Sequence, residues 1–239
     1  MDISIIVPCF NEEKNVNGVY HNILNSLSGA TGSYEIIFVN DGSTDGTLKE
    51  LDKLSKLDRN IRIISFTKNR GYGFAVWQGL TSASGIYVFY IDGDGEFDFR
   101  EHKEMLRFLE EGFDLVGGVR REGRSDGKFR ANLAALGCSI FKLLFNIKNI
   151  RDINCGFKGI KKSALAKINP QSTSAITFSS ELYLSAGKNN FKITQVSVKH
   201  SKRKFGNSKG VNFKQYLLAL NDITNNLAGW VSFMRKKYT

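Results

Sequence analysis

An apolar run passes directly into three alternating carboxylates in residues 86–96, Ile-Tyr-Val-Phe-Tyr-Ile-Asp-Gly-Asp-Gly-Glu. A short apolar run bounded by a turn predicts a buried strand. In an extended segment, residues two apart face the same way, so Asp92, Asp94 and Glu96 can converge on one point. Three like charges repel unless a cation lies among them. Oxygen ligands without His or Cys favour Mg²⁺ or Mn²⁺, so the stretch predicts a strand that ends at a divalent metal site.

Further apolar runs predict more strands, and segments with helical spacing lie between them. The runs cover residues 3–8, 34–39, 61–66 and 113–119. Apolar residues three or four apart predict helices in the intervening segments, as in Leu48-Leu51-Leu54-Leu57. Strands alternating with helices indicate βαβ units with right-handed crossovers. We therefore expect an α/β fold with a mainly parallel sheet flanked by helices.

The pattern is weaker in the second half of the chain. We predict a helix over residues 131–145, a short strand or loop over 154–160, a helix over 179–186 and a strand over 192–198. The last segment, residues 213–234, has apolar side chains three or four positions apart and predicts an amphipathic helix. We expect one domain over residues 1–210, followed by an amphipathic tail over residues 211–239.

Charge is distributed unevenly along the 239 residues. Residues 1–118 hold 11 Lys and Arg against 18 Asp and Glu, a net charge of −7, whereas residues 119–239 hold 23 against 5, a net charge of +18. An acidic half suits a metal site and a basic half suits an anionic partner, although a solubilising basic surface would look the same. Cys9, Cys138 and Cys155 show no metal-site spacing and fit a reducing cytoplasm.

Nucleotide-binding glycine motifs are absent from the turn after the first strand, which reads Cys9-Phe10-Asn11-Glu12. Neither a dinucleotide-binding GxGxxG nor a P-loop is present, so recognition of a nucleotide would rely on side chains at strand ends. Asp41 and Asp45 follow the second strand and could serve that purpose. For Asp45, capping of the next helix explains the residue equally well.

Four motifs in order resemble the signatures of family 2 glycosyltransferases. They are Val7-Pro8-Cys9-Phe10-Asn11-Glu12, Val39-Asn40-Asp41-Gly42-Ser43-Thr44-Asp45, Asn69-Arg70-Gly71-Tyr72-Gly73 and Asp92-Gly93-Asp94. The resemblance implies a GT-A fold with a UDP- or GDP-linked sugar as donor. It also implies a donor pocket and a metal site built from the following residues: Pro8, Phe10, Glu12, Asp41 and Asp92 around the donor, and Asp94 and Glu96, with Asp92 beside them, on the metal.

Motifs of the second half resemble those of polyprenyl-phosphate and dolichol-phosphate sugar transferases. They are Gly117-Gly118-Val119-Arg120, Lys128-Phe129-Arg130, Arg151-Asp152-Ile153-Asn154-Cys155-Gly156-Phe157-Lys158 and Arg203-Lys204-Phe205-Gly206-Asn207-Ser208-Lys209. This likeness implies three roles: Arg120, Lys128 and Arg130 bind the acceptor phosphate, Arg203 and Lys209 bind the donor phosphates, and Asp152 meets the reacting sugar or acceptor. Glu96 stands where many relatives have Gln, and the C-terminal membrane helices of several relatives are missing.

The chemistry of sugar transfer sets the candidate catalytic residues. A phosphate acceptor is already anionic and needs cations to position it, whereas a hydroxyl acceptor needs a carboxylate to take its proton. The carboxylates predicted for catalysis are Asp92, Asp152 and Glu181, although Asp152 could instead serve a turn and Glu181 could lie on a helix surface. The three histidines are interpreted as surface or packing residues.

The sequence thus predicts an inverting, metal-dependent glycosyltransferase that uses a lipid-linked phosphate as acceptor. Two alternatives stay open: transfer to a saccharide hydroxyl, and a non-catalytic module that binds a nucleotide sugar. Nucleic acid is not an expected partner, because basic and aromatic residues are not interleaved. A homo-oligomer is left open.

No apolar run approaches the roughly 20 residues that span a bilayer. We expect a cytoplasmic chain that is peripheral at the membrane, with the tail helix and Arg235-Lys236-Lys237 at the lipid surface. The competing interpretation of that apolar stripe is packing on the domain or a dimer seam.

Overall fold

The apolar runs of the sequence form five strands of a seven-stranded sheet. The computed structural model describes residues 2–29, 32–121, 150–203 and 205–206. The strands are β1 (Ile3–Cys9), β2 (Tyr34–Asp41), β3 (Ile61–Phe66), β4 (Tyr87–Ile91), β5 (Leu115–Arg120), β6 (Phe157–Lys161) and β7 (Ile193–Val198). The helices are α1 (Val16–Leu27), α2 (Thr47–Leu57), α3 (Tyr72–Ser82), α4 (His102–Glu110), α5 (Lys162–Leu165) and α6 (Ala175–Lys188), and a 3-10 turn at Phe99–Glu101 precedes α4.

The strands lie in the order β3-β2-β1-β4-β6-β5-β7. Pairing is parallel throughout except at β6, which runs antiparallel to both β4 and β5. The predicted mainly parallel α/β sheet is therefore confirmed. Because β1 to β4 are parallel, their carboxyl ends share one edge, where open α/β sheets bind ligands. The reversed direction of β6 brings its first residue, Phe157, opposite Ile91 at the end of β4.

Apolar side chains cover both faces of the sheet. Along β1, Ile5 and Val7 belong to a cluster with α1, α2 and α4, whereas Ile6 belongs to a second cluster with α3 and α6. This alternation follows from the two-residue period of a strand. Continuous rather than alternating hydrophobicity in the strands thus reflects burial on two sides.

The weaker predictions of the second half have mixed outcomes. The segment expected at 154–160 overlaps β6, which runs from Phe157 to Lys161. The helix expected at 179–186 is the central part of α6, and the last predicted strand is β7. The helix predicted over residues 131–145, the amphipathic tail helix and the proposed division at residue 210 fall outside the described residues. Within the described ranges, no helix has the length and apolar character needed to cross a bilayer.

Candidate active site

Asp41 lies on one side of the site, at the carboxyl end of β2. It is 2% exposed, and its carboxylate accepts hydrogen bonds from Arg70 N at 2.8 Å, Gly71 N at 2.9 Å and Asn69 Nδ2 at 2.9 Å. Burial raises the pKa of Asp41, and the two backbone N–H groups oppose that rise. Asp41 therefore ties the end of β2 to the loop that leads into α3.

The loops after β1 and β2 interlock beside Asp41. Asn11, at a positive φ of 53°, donates from its backbone N–H to Ser43 Oγ at 2.9 Å and accepts from Thr44 N at 2.8 Å. Asp45 Oδ1 accepts from the backbone N–H of Thr47 at 3.0 Å, at the start of α2. The N-cap of α2 is Gly46, with no side-chain cap hydrogen bond, so Asp45 makes a local turn contact and is not itself the cap. Ligand binding by Asp45 stays a prediction.

Gly42 allows the loop after β2 to approach the loop after β3. Its φ is +67°, and a Cβ at this position would lie 2.3 Å from the backbone carbon of Lys68. An L side chain would be strained there by its backbone conformation and would also collide. The Asp-Gly pair is therefore needed for the close packing of the two loops around Asp41.

The carboxylates after β4 point to different partners. Asp92 Oδ1 accepts a hydrogen bond from Tyr72 Oη at 2.6 Å, Glu96 Oε2 lies 2.7 Å from His200 Nε2, and Asp94 Oδ2 lies 3.9 Å from Arg203 Nη1. Among the described residues, no group of three or more His, Cys, Asp or Glu side chains could hold a metal by itself. The three carboxylates are thus near neighbours without forming a preassembled site, and their assignment as metal ligands stays a prediction.

Burial and mutual repulsion disfavour ionisation of this group. Burial and the charges of Asp92 and Glu96 raise the pKa of Asp94 to about 8. Burial also raises the pKa of Asp92 to about 6, against the hydrogen bond from Tyr72 and the charge of Lys158. A divalent cation would relieve both effects. Mg²⁺ is commonly held by one or two carboxylates plus substrate phosphates, so Asp94 with Asp92 fits such an ion.

Glu12, in the loop after β1, forms an ion pair with Arg203, which follows β7. The Arg203 guanidinium pairs with Glu12 Oε2, and the side chains are only 10% and 8% exposed. Glu12 also accepts from Asn15 Nδ2 at 2.7 Å, and Arg203 Nε donates to the backbone oxygen of Phe205 at 2.6 Å. Two residues predicted around the donor are therefore in direct contact. Pro8 is buried within β1 and Phe10 is partly buried just after it.

Arg120 and Asp152 form a two-point ion pair at the end of β5. Arg120 Nε and Nη2 donate to the two carboxylate oxygens of Asp152 at 2.7 and 2.9 Å. Burial alone would raise the pKa of Asp152, but the hydrogen bonds and charge of Arg120 hold it below its usual value. Gln195 supports the pair, since its Nε2 donates to the Asp152 carbonyl at 2.7 Å and its Oε1 accepts from Arg151 N at 2.5 Å.

Lys158 is a buried cation that the sequence reasoning missed. It has no exposed surface, donates from Nζ to the Cys155 carbonyl at 2.5 Å, and lies 5.2 and 5.6 Å from the ring centres of Tyr90 and Tyr183. Burial lowers the pKa of Lys158 to about 8, and burial raises the pKa of the Cys155 thiol to about 12. The available signal was a lysine among apolar and small residues in the segment predicted as a short strand or loop over 154–160.

Other predicted residues have different surroundings. Glu181 lies on α6, 8% exposed, and accepts backbone hydrogen bonds from Gln171 and Ser172. His200 contacts Glu96, so its interpretation as a packing residue was incomplete, whereas buried His102 stacks on Phe99 as expected. Tyr72, the donor to Asp92, was quoted only as part of a motif. Lys128, Arg130 and Lys209 lie outside the described residues.

Solved structures of known proteins share this fold. Glucosyl-3-phosphoglycerate synthase from Mycobacterium tuberculosis, crystallised with Mn²⁺, UDP and phosphoglyceric acid, matches 93% of this chain and 78% of its own with a TM-score of 0.71 and 19% identity. A second structure of that synthase, with Mg²⁺ and UDP, gives a TM-score of 0.70. At this identity the likeness shows the fold, which is the GT-A fold predicted from the motifs.

Sequence comparison gives the family. The model of glycosyl transferase family 2 matches residues 4–168, more than half of the chain. The chain therefore belongs to glycosyl transferase family 2. An uncharacterized glycosyltransferase of Bacillus subtilis, YkcC, is 31% identical over 147 residues, which are 62% of this chain and 45% of the relative.

A second relative extends further along the chain. The undecaprenyl-phosphate 4-deoxy-4-formamido-L-arabinose transferase of Proteus mirabilis is 26% identical over 214 residues, 87% of this chain and 62% of that protein. The chain thus spans less than two thirds of the length of either relative.

Proposed function

We propose that the chain is an inverting, metal-dependent glycosyltransferase that moves a sugar from a nucleoside-diphosphate donor to a polyprenyl phosphate. The observation that carries this proposal is the arrangement of Asp41, Asp92 and Asp94 at one sheet edge, with Arg203 3.9 Å from Asp94 and the charge of Arg120 acting on Asp92. Family membership supports the transfer chemistry, and the undecaprenyl-phosphate relative supports the choice of acceptor.

The donor would lie along the loops after β1, β2 and β4. Asp41 retains acceptor capacity beyond its three hydrogen bonds, because an ionised carboxylate has about four lone-pair sites. Arg203, held within 3.9 Å of Asp94, would bring a cation to the diphosphate. Charge-assisted contacts of this kind strengthen as negative charge develops on a leaving group. Lys209 is proposed for the same role.

A divalent ion, Mg²⁺ or Mn²⁺, would stabilise the charge that develops on the leaving nucleoside diphosphate. Asp94 and Asp92 are the residues that would hold it, and both have carboxyl pKa values raised by burial and neighbouring negative charge. Glu96 is proposed as a further metal ligand. In the structure its carboxylate is engaged by His200, so it would need to leave that contact to become a direct ligand.

The ion pair and the lowered pKa of Asp152 favour a phosphate acceptor over a hydroxyl acceptor. Arg120 binds both of its carboxylate oxygens and holds its pKa below the ordinary value. Transfer to a hydroxyl would require a general base, and a carboxylate with a depressed pKa is a weak one. An acceptor phosphate is already anionic and needs only a cationic site, for which Arg120, with Lys128 and Arg130, is proposed. Catalytic roles for Asp152 and Asp92 would then be electrostatic.

The lipid acceptor would require the enzyme to work at a membrane surface. We propose that residues 211–239 supply that contact on the cytoplasmic face through an apolar stripe and a basic end.

A thermal-shift panel of UDP- and GDP-linked sugars with Mn²⁺ tests the donor half of the proposal. A bound donor at 100 times its dissociation constant would add about 2.7 kcal/mol to the free energy of unfolding. We expect stabilisation by one class of nucleotide sugar that disappears when Mn²⁺ is chelated. Stabilisation by none of them would contradict the proposal, and a metal-independent shift would remove Asp94 and Asp92 from the metal site.

A further inference from the structure

Glu181 holds the loop that precedes its own helix. The side chain lies on α6, and Oε2 accepts hydrogen bonds from the backbone N–H groups of Gln171 at 3.0 Å and Ser172 at 2.8 Å. Glu181 is 8% exposed and Ser172 is 2% exposed. Hydrogen bonds from backbone N–H to an ionised carboxylate are roughly twice as strong as neutral ones. The position of residues 171–173 therefore depends on the Glu181 carboxylate.

The loop 171–173 is in turn packed against the start of α3. Gly73 donates from its backbone N–H to the carbonyl of Thr173 at 2.8 Å. A Cβ on Gly73 would lie 2.3 Å from the Ser172 oxygen, and one on Gly71, whose φ is +103°, would lie 2.7 Å from the Thr173 oxygen. Two glycines thus allow backbone-to-backbone contact, so a shift of the loop would be transmitted to α3.

The start of α3 positions two site carboxylates that come from different strands. The backbone N–H of Gly71 donates to Asp41 Oδ2 at 2.9 Å, and Tyr72 Oη donates to Asp92 Oδ1 at 2.6 Å. Asp41 is the last residue of β2, whereas Asp92 directly follows β4. The first turn of α3 is therefore the element that links the nucleotide side of the site to the metal side.

We propose that Glu181 is a positioning residue for donor binding, acting through residues 171–173 and the first turn of α3. The inference rests on the proposed function, because it takes Asp41 and Asp92 as donor-site residues. It assigns Glu181 a role different from proton transfer. What matters is an acceptor oxygen at Oε2, and a negative charge at that position only strengthens the contact.

Two substitutions separate these roles. Glu181→Gln keeps an acceptor oxygen and removes the basic carboxylate, whereas Glu181→Leu removes both. Positioning predicts that Glu181→Gln keeps kcat and the donor KM within about threefold, and that Glu181→Leu raises the donor KM about tenfold or more, the equivalent of one strong hydrogen bond. The acceptor KM should stay within about twofold in both, because the Arg120 side chain hydrogen-bonds to Asp152 and not, among the described residues, to residues 171–173 or the first turn of α3. Loss of turnover in Glu181→Gln with an unchanged donor KM would overturn positioning and support proton transfer.

Amide hydrogen exchange tests the same chain of contacts without substrate or metal. We expect the N–H groups of Gly71 and Gly73 to exchange at least about tenfold faster in Glu181→Leu than in the unaltered chain. Gln171→Ala is the matched control, since it changes an exposed side chain on the same loop and leaves the backbone N–H in place. Unaltered exchange at both glycines in a folded Glu181→Leu chain would overturn the inference. Failure of the unaltered chain to turn over any donor, with the exchange result as expected, would instead contradict the proposed function.

Discussion

The guanidinium of Arg203 pairs with the carboxylate of Glu12, which lies 191 residues earlier in the chain. The contact fastens the segment after β7 across the loop after β1, and it also places Arg203 Nη1 3.9 Å from Asp94. A cation is therefore held between two carboxylates at the position where a donor diphosphate is proposed. Binding of that diphosphate would exchange a carboxylate partner of Arg203 for a phosphate partner.

Removal of the Arg203 charge should weaken the donor more than the acceptor. Arg203→Met is expected to raise the donor KM by about 10- to 100-fold, because charge-assisted hydrogen bonds to phosphate are lost, with a smaller change in the acceptor KM. Steady-state kinetics at varied donor and fixed acceptor measure this. Arg107→Met, at an exposed ion pair with Glu111 on α4, is the matched control. An unchanged donor KM would assign Arg203 a structural role only.

Removal of one partner from the ion pair of Arg120 and Asp152 should destabilise the fold. Breaking a buried pair by removing one partner costs about 3–5 kcal/mol, because the remaining charge is uncompensated. We expect Arg120→Met to lower the free energy of unfolding by an amount near that range, discounted for partial exposure, and Asp152→Asn in the same chain to recover part of the loss. Denaturant unfolding of the single and double variants gives the coupling energy. Additive effects of the two substitutions would show that the pair is not coupled.

Lys158 should make stability rise with pH above neutrality. Burial lowers its folded pKa to about 8, below the unfolded value of about 10.4, so between these values the unfolded chain binds the extra proton. The free energy of unfolding should therefore gain up to about 1.4 kcal/mol per pH unit over that window, relative to Lys158→Met. Urea unfolding at pH 7, 8, 9 and 10 measures the difference. A difference between the two chains that is independent of pH would contradict the buried, depressed lysine.

The amphipathic tail is expected to bind anionic lipid. Basic residues near a charged surface contribute about 1 kcal/mol each, and salt weakens them. Full-length chain should float with anionic liposomes at low salt, float less with neutral ones, and lose flotation when the chain ends at Gly210. Equal flotation of the two lengths, or none by either, would leave the tail as a packing or dimer element.

The first half of the fold follows from the sequence because its signals are local. Continuous apolar runs predicted β1 to β5, and helical spacing predicted α1 to α4. The reversal of β6 could not be read in this way. Its direction is seen only in its antiparallel pairing with β4 and β5, and strand periodicity carries no information on direction.

The candidate site, like the fold, has a part that local sequence signals indicate and a part that they do not. The positions of Asp41, Asp92 and Asp94 were predictable because they lie at the end of a buried strand or within three residues after it, where parallel sheets bind ligands. The partners of these carboxylates were not predictable, because Gly71, Tyr72 and Arg203 come from other segments of the chain. Glu181 shows the difficulty most directly. Helical spacing placed it on a helix, but only the fold shows that its carboxylate binds backbone N–H groups of the preceding loop.

Formation of a lipid-linked sugar is the direct test of metal-dependent transfer to a polyprenyl phosphate. The chain would be incubated with undecaprenyl phosphate, Mn²⁺ and each UDP- or GDP-linked sugar. The lipid products would be identified by mass spectrometry and their anomeric configuration assigned by NMR. We expect a polyprenyl-phosphate sugar of inverted anomeric configuration from one donor class. Its formation should be lost on chelation of the metal and in Asp94→Asn. It should be retained in Asp52→Asn, the control, which changes an exposed residue on α2. Absence of product with every donor, or equal product from Asp94→Asn or in the presence of chelator, would contradict metal-dependent transfer to a polyprenyl phosphate.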